Sequence, residues 1–184
     1  MSDALDQLNE YHRFMGWFLT EFANLEHLLR QLLLDHSGLS PAAFEVLQGF
    51  PRTSEVLDRL KKLIKLRGLT SNDLAAVDDA ATQLKGITKL RDWIVHYGGH
   101  PVDGGQFLIR LKPTERSDAT GKAFHLFTRD ELWSAVQDFH LVRNILRYRL
   151  DRHLHPEHRK SLEINGVRNG PWRYTPPKVA PAPS

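Results

Sequence analysis

The sequence predicts a mainly α-helical protein, an antiparallel four-helix bundle with a small β-hairpin inserted before the last helix. Apolar residues recur at steps of three and four along four long segments, which is the period of a helix face. Two short apolar segments, FLIRLK and AFHLF, instead have the length and composition of strands. Glycine, proline and serine separate these segments at the positions where turns are expected.

The first predicted helix spans about residues 3–36. An apolar seam runs along most of it at alternating steps of three and four: Leu8, Tyr11, Met15, Phe18, Phe22, Leu25, Leu29 and Leu32. Further apolar residues beside the seam widen the stripe, so this helix should bury against more than one neighbour. The same seam is compatible with a coiled coil between two copies of the chain. Ser37 and Gly38 predict the end of the helix.

Three further helical segments precede the hairpin. A short helix or turn is predicted over residues 41–48, and a longer helix begins after Thr53 and Ser54 and runs to about Arg67. The next helix should begin at Ser71, a suitable N-cap residue, and end before Gly98 and Gly99. Gly86 weakens its middle slightly, but no proline interrupts it.

The predicted hairpin joins strands at residues 107–112 and 123–127. Thr128 and Glu131 then have the spacing of a capping box, which predicts the start of a last long helix. That helix should end near Leu154, ahead of Pro156.

The sequence divides into a helical domain, residues 1–155, and a basic, proline-rich tail, residues 156–184. Six of the ten prolines lie in the tail. Apolar side chains are nevertheless available to hold part of it against the bundle: Leu162, Ile164, Trp172 and Tyr174.

Positive charge is concentrated towards the C-terminal end. From Arg143 onwards, seven arginines and two lysines face three carboxylates, a formal net charge of +6, whereas the whole chain carries +3. Such asymmetry favours contact with phosphate or with an acidic surface, although a solubilising tail has the same composition. The candidate RNA-binding residues are Arg143, Arg147, Arg149 and Arg152.

Composition excludes several kinds of protein. Without cysteine there is no disulfide, no thiolate nucleophile and no cysteine zinc site. The first residues are acidic rather than basic, so we expect no secretory signal, and charged residues interrupt the longest apolar stretches. We therefore expect a cytoplasmic protein with no membrane segment, and nothing in the sequence calls for a cofactor or a metal.

The segment from Lys89 to Gly99 contains the strongest candidate for chemistry. Arg91, Asp92 and His96 fall near the C-terminal end of a core helix, which two glycines then terminate. Asp92 and His96 are four residues apart on one helix face, so the carboxylate can orient the imidazole. Arg91 lies on the flank, where its long side chain can reach the same phosphate or a second copy of the site.

This pattern resembles the motif of HEPN ribonucleases. The resemblance consists of Arg91, a polar residue directly after it, and His96 five positions on, near the end of a bundle helix. The first helix around Phe22, Leu25 and Glu26, the helix after residue 53 and the later hairpin are also similar to small bacterial HEPN-like proteins. Some HEPN toxins carry a tyrosine two residues after the histidine, whereas here Tyr97 follows directly and Gly98 takes that place.

The resemblance implies metal-independent RNA cleavage at a site formed across a homodimer, as in toxins or defence effectors, with an antitoxin as a possible protein partner. His96 would then act as general acid or base, Arg91 would stabilise charge on the phosphate, and Asp92 would position His96. A non-catalytic HEPN-like module that binds nucleic acid or protein is the alternative.

Other roles for these residues stay open. Arg91, Asp92 and His96 are also residues that cap a helix end and pair with one another. Asp92, His96 and His100 are spaced by fours, which suggests metal ligands, but the two glycines separate the last of them from the helix. A second histidine cluster has the composition of either a solvated helix end or a zinc site: His153, His155 and His158.

Overall fold

The protein is mainly helical with a small antiparallel sheet, as the sequence predicts. The structure, a computed structural model, describes residues 2–49, 51–68, 70–102, 106–110, 124–151 and 171–177. Over these residues it contains five α-helices and one three-stranded sheet. The helical class and the β-hairpin are confirmed, and the four-helix arrangement stays a prediction.

Each predicted helix is present, and all but the last have nearly the predicted bounds. The helices are α1 Ser2–Ser37, α2 Pro41–Gln48, α3 Thr53–Leu66, α4 Ser71–Tyr97 and α5 Arg129–Leu146.

Side chains cap the start of three of these helices, and at α2 the Ser40 hydroxyl accepts the Ala43 N–H at 3.3 Å. At α5 the predicted capping box is formed: Thr128 Oγ1 accepts the Glu131 N–H at 3.1 Å, and the Glu131 carboxylate accepts the Thr128 N–H at 2.7 Å. At α4 the prediction of Ser71 as N-cap is wrong by one residue, because the Thr70 hydroxyl accepts the Asp73 N–H at 3.3 Å.

The sheet has the order β1-β2-β3, with β1 Gly99–Val102, β2 Gln106–Arg110 and β3 Phe124–Thr128. Both strand pairs are antiparallel, and Phe107 faces Phe127 across the predicted hairpin. Lys112 and Ala123, which the predicted strands also included, lie outside the described residues. The strand β1 was not predicted, because its sequence GHPV has little apolar character and a central proline.

The last helix ends differently from the prediction. The α-helix stops at Leu146 and a π-helical turn, Arg147–Asp151, follows it. A π turn widens the hydrogen-bonding step by one residue, which an apolar periodicity of three and four does not reveal. Leu154, the predicted end, lies outside the described residues.

The described residues form two compact units. The first unit lies within 1–22, 86–138 and 172–184, and the second within 23–85 and 139–171, so α1, α4 and α5 contribute to both. In the first unit, buried side chains come from helices and strands alike, among them Phe18, Ile87, Leu90, Ile109, Phe127 and Val136. In the second, they come from helices: Leu29, Leu32, Phe44, Leu60, Leu84 and Phe139 are examples.

A segment of the predicted tail is part of the first unit. Residues 172–177 belong to no helix or strand, and Tyr174 among them is only 3% exposed. Burial, and then the Glu131 carboxylate, raises the pKa of the Tyr174 phenol, which therefore stays neutral at ordinary pH. The sequence had allowed Trp172 and Tyr174 to hold the tail, and for Tyr174 the structure confirms this.

Two adjacent glycines connect α4 to the sheet for two different reasons. Gly98 has φ +62°, the left-handed conformation that glycine adopts without a steric penalty after a helix end. Gly99 starts β1, where a Cβ atom would lie 2.5 Å from the Leu108 carbonyl oxygen. The end of α4 and the first residue of the sheet are thus both restricted to glycine.

We expect Gly98→Ala to lower the free energy of unfolding by about 1–2 kcal/mol, the penalty for an L-residue in the left-handed region. Gly16→Ala in the exposed middle of α1 is the matched control and should raise stability by about 0.5–1 kcal/mol. Neither added Cβ would touch another atom within 4 Å, so the backbone conformation alone makes the difference. Urea unfolding followed by circular dichroism measures both, and the same sign for the two variants would contradict the assignment.

Candidate functional site

The last turns of α4 place the predicted site residues at the surface of the first unit. Leu90, Trp93 and Ile94 are 0%, 2% and 8% exposed and hold the opposite face of the helix in the core. That orientation leaves Arg91 and Asp92 partly exposed and His96 exposed. The helix period therefore leaves the three polar side chains of the motif accessible to solvent near the end of α4.

Arg91 is held by two contacts. One guanidinium nitrogen, Nη1, donates to Asp92 Oδ1 at 2.9 Å, and the guanidinium carbon lies 5.5 Å from the centre of the buried Phe22 ring. The side chain of Arg91 is nonetheless 31% exposed, and that of Asp92 is 48% exposed. Arg91 is thus positioned by an aromatic face and remains open to solvent on another side.

The predicted contact between Asp92 and His96 is not formed in this structure. Asp92 accepts from Arg91 instead, and among the described residues His96 makes neither a hydrogen bond nor an ion pair. Its ring lies 6.4 Å from that of Tyr97, centre to centre. The imidazole of His96 is therefore placed by the backbone of the helix end rather than by a neighbouring carboxylate.

Two side chains that lie close to this region were not predicted from the sequence to do so. Phe22 and Tyr11 were predicted only as members of the apolar seam of α1, but Phe22 supports Arg91. The Tyr11 hydroxyl lies close to the helix end, 3.2 Å from where a Cβ of Gly99 would stand. Burial raises the pKa of Tyr11, so this hydroxyl remains a neutral hydrogen-bonding group. A seam of helical period gives no sign that one member meets a charged group.

The predicted RNA-binding residues Arg143, Arg147 and Arg149 belong to the second unit, whereas Arg91 and His96 belong to the first. Arg147 is exposed, and Arg143 Nη2 is 3.1 Å from a ring nitrogen of His140. Arg152 lies outside the described residues.

Arg149 has an intramolecular partner. Its Nη1 is 3.3 Å from Oδ1 of Asp73, a carboxylate with 0% exposure, and the Thr70 hydroxyl donates to the other oxygen of Asp73 at 2.7 Å. A buried carboxylate needs such donors, because transferring its charge out of water is costly. The geometry gives Arg149 a structural role that the charge pattern alone did not distinguish from phosphate binding.

The suggested metal ligands do not converge among the residues whose placement is described. Within those residues no three histidine or carboxylate side chains come together in a way that could hold a metal ion, and Asp92, His96 and His100 are among those tested. His153, His155 and His158 lie outside the described residues.

Comparisons with family models, with curated proteins and with solved structures gave no match to this chain. In the part of the chain that the structure describes, every helix is too short or too polar to cross a lipid bilayer.

Arg149 and Arg147 make a matched pair for testing the structural role of the buried carboxylate. Arg149→Ala should lower the free energy of unfolding by about 2–4 kcal/mol, since it leaves Asp73 buried without its cation. Arg147→Ala removes the same charge from an exposed position two residues away and should change stability by less than about 0.5 kcal/mol. Chemical unfolding monitored by tryptophan fluorescence compares them, and equally small losses would rule out the structural ion pair.

Proposed function

We propose that the protein is a metal-independent endoribonuclease of the HEPN type, which cleaves RNA with Arg91 and His96 as a homodimer. One observation carries the proposal: an exposed imidazole and a partly exposed guanidinium lie five residues apart at the glycine-terminated end of α4. An acid–base group beside a phosphate-binding cation is the minimum that RNA cleavage through the 2′-hydroxyl requires.

The chemistry assigned to the two residues is as follows. The 2′-oxygen of the ribose attacks phosphorus, the bond from phosphorus to the 5′-oxygen breaks, and a 2′,3′-cyclic phosphate forms. One proton must leave the 2′-hydroxyl and one must reach the departing 5′-oxygen. His96 can perform either transfer, and Arg91 offers a planar pair of donors to the non-bridging phosphate oxygens.

The need for two proton transfers supports the homodimer. A single chain brings one His96 to the site, whereas a two-fold axis near the end of α4 would bring a second copy and separate the acid from the base. Val95, next to His96, is 45% exposed and gives this end of the helix an apolar surface that a second copy could cover.

Arg91 can exchange its present partner for a phosphate. The Arg91–Asp92 pair joins sequence neighbours at the surface, and exposed ion pairs of this kind contribute only about 0–1 kcal/mol. The singly charged phosphodiester of RNA can accept two parallel N–H donors from the guanidinium, which makes a stronger, charge-assisted contact. We propose that Asp92 occupies the anion position in the free protein and gives way to the substrate.

A second candidate is a non-catalytic interaction module that binds nucleic acid or a protein. It is favoured by the observation that Arg91 already has partners in Asp92 and Phe22 while His96 has no orienting carboxylate. In that case the region of the half-buried Arg143 and the exposed Arg147 would carry binding, and loss of the α4 pair would leave binding unchanged. A toxin or defence role with an antitoxin partner belongs only to the enzymatic proposal.

The mechanism predicts that His96→Ala abolishes RNA cleavage while the fold is retained, since the imidazole is exposed. Removing a general acid or base costs about 10²–10⁴-fold in rate. Arg91→Ala should cost as much, and Arg91→Lys should restore only part of the activity, because lysine lacks the planar fork. Cleavage of a mixed RNA pool is resolved on a gel, with EDTA present or absent and with product ends identified as 2′,3′-cyclic phosphate.

His100→Ala is the control, since it removes another exposed histidine three residues beyond the helix end. It should leave cleavage unchanged. Activity that survives His96→Ala, or that EDTA removes, would exclude this mechanism and favour the interaction module.

The composite site predicts a dimer in solution. Light scattering at micromolar concentration should give twice the chain mass, and Val95→Asp should shift it towards the monomer by placing like charges near the two-fold axis. Val46→Asp is the control, because Val46 is 85% exposed but lies in the second unit. A monomer mass for the wild type would contradict the shared site.

A further inference from the structure

The C-terminal segment of the first unit is held by a buried carboxylate. Asp138 of α5 is 1% exposed, and its two oxygens accept the main-chain N–H of Arg173 at 3.0 and 3.1 Å. The oxygen Oδ2 also accepts the N–H of Tyr174 at 2.8 Å. Two successive main-chain N–H groups thus donate to one carboxylate. Successive N–H groups of a main chain bind free anions in the same way.

Burial alternates along the same segment. Trp172, Tyr174 and Pro176 are partly or fully buried, while Arg173 and Thr175 between them are exposed. Every second side chain from residue 172 to residue 176 is therefore turned towards the rest of the first unit, although the chain bends at Arg173. Side chains on the inner face therefore add selectivity to the hydrogen bonds, which any peptide could make.

Helix α4 contributes a glycine to this contact. A Cβ on Gly86 would lie 2.5 Å from Cγ of Pro176, closer than real Cβ atoms approach, so the proline ring occupies the space that a side chain would need. Glycine in a helix interior is unfavourable by about 1 kcal/mol relative to alanine, and the close approach of Pro176 is a physical reason for it here.

We propose that Asp138 and Gly86 form a peptide-binding site, which recognises a Trp-Arg-Tyr-Thr-Pro sequence and is occupied in the native protein by residues 172–176 of the same chain. The segment makes no helix or strand of its own, and its principal contacts are to a side chain and a glycine rather than to a backbone ladder. It is therefore a ligand that the chain itself supplies, held at high effective concentration by its covalent connection. This site shares no residue with the Arg91–His96 pair, so it stands independently of the ribonuclease proposal.

The contact between Gly86 and Pro176 is tested first in the full-length chain by a double-mutant cycle. In the Pro176→Ala background, which removes Cγ, Gly86→Ala should raise the folding equilibrium constant about fivefold through helix propensity. In the wild-type background the same substitution should lower it, because the added Cβ meets the ring. If Gly86→Ala changed the folding equilibrium constant by the same factor in both backgrounds, the contact between Gly86 and Pro176 would be contradicted.

The binding site is tested by cutting the chain after folding. A recognition sequence for a specific protease is inserted between residues 166 and 167, the purified protein is cleaved, and gel filtration follows the C-terminal fragment. The fragment should remain bound, and a fluorescent synthetic peptide of residues 169–178 should exchange with it in the cleaved protein but not in the uncut one. Two results would contradict an intramolecular ligand. One is prompt release of the fragment, and the other is a dependence on dilution showing that two copies of the chain exchange their C-terminal segments.

Two substitutions test the recognition chemistry. Asp138→Asn places an amide N–H₂ where acceptors are needed and should weaken peptide binding about tenfold or more. A peptide N-methylated at Tyr174 loses one of the donated N–H groups and should bind more weakly to the same extent. Asp130→Asn, an exposed carboxylate on the same helix, should leave binding unchanged. If Asp130→Asn and Asp138→Asn behaved alike, the buried carboxylate would not be the recognition element.

Discussion

The backbone at Gly98 and Gly99 is the constraint on which the candidate site depends. The chain has to leave α4 through a left-handed residue and, one residue later, start a strand with no room for a Cβ beside the Leu108 carbonyl. This junction fixes where α4 ends and therefore where His96, in its last turn, meets solvent. Because no side chain among the described residues bonds to His96, the helix end itself sets the position of the imidazole.

Two buried carboxylates bind donors from the C-terminal part of the chain. Asp73 is compensated by the guanidinium of Arg149, and Asp138 by main-chain N–H groups of residues 173 and 174. A buried charge loses its hydrogen bonds to water, and donors of the protein must replace them. Here these donors lie far along the chain from the carboxylates. The tail that looks basic and proline-rich in composition therefore includes main-chain donors that a buried carboxylate of α5 requires.

The periodicity of the sequence predicted the structure that depends on neighbouring residues. It did not predict contacts between residues that are far apart in the chain. The seams of α1, α4 and α5 and the Thr128–Glu131 capping box are written in neighbouring residues, so their positions could be predicted from sequence alone. The strand β1 forms because its backbone pairs with that of β2. Its own sequence, which contains His100 and Pro101, has none of the features that predict a strand. Asp138 lies between Gln137 and Phe139 in α5, and the sequence alone gives no sign that its carboxylate is buried, because its donors lie 35 and 36 residues further on.

The same distinction applies to the motif near the end of α4. Spacing alone predicted that Arg91 and His96 would share the accessible end of one helix, because both residues and the terminating glycines are consecutive in the chain. Spacing also paired Asp92 with His96, yet the guanidinium of Arg91 competes for that carboxylate and forms the contact instead.

This competition bears on catalysis. An arginine weakly paired with its own neighbour and stacked on Phe22 keeps its orientation after the partner is displaced. An imidazole with no carboxylate behind it keeps the freedom to receive or give a proton on either side. What would make these two groups into one active centre is a substrate phosphate that draws Arg91 from Asp92, together with a second copy of the helix end that supplies the other proton transfer.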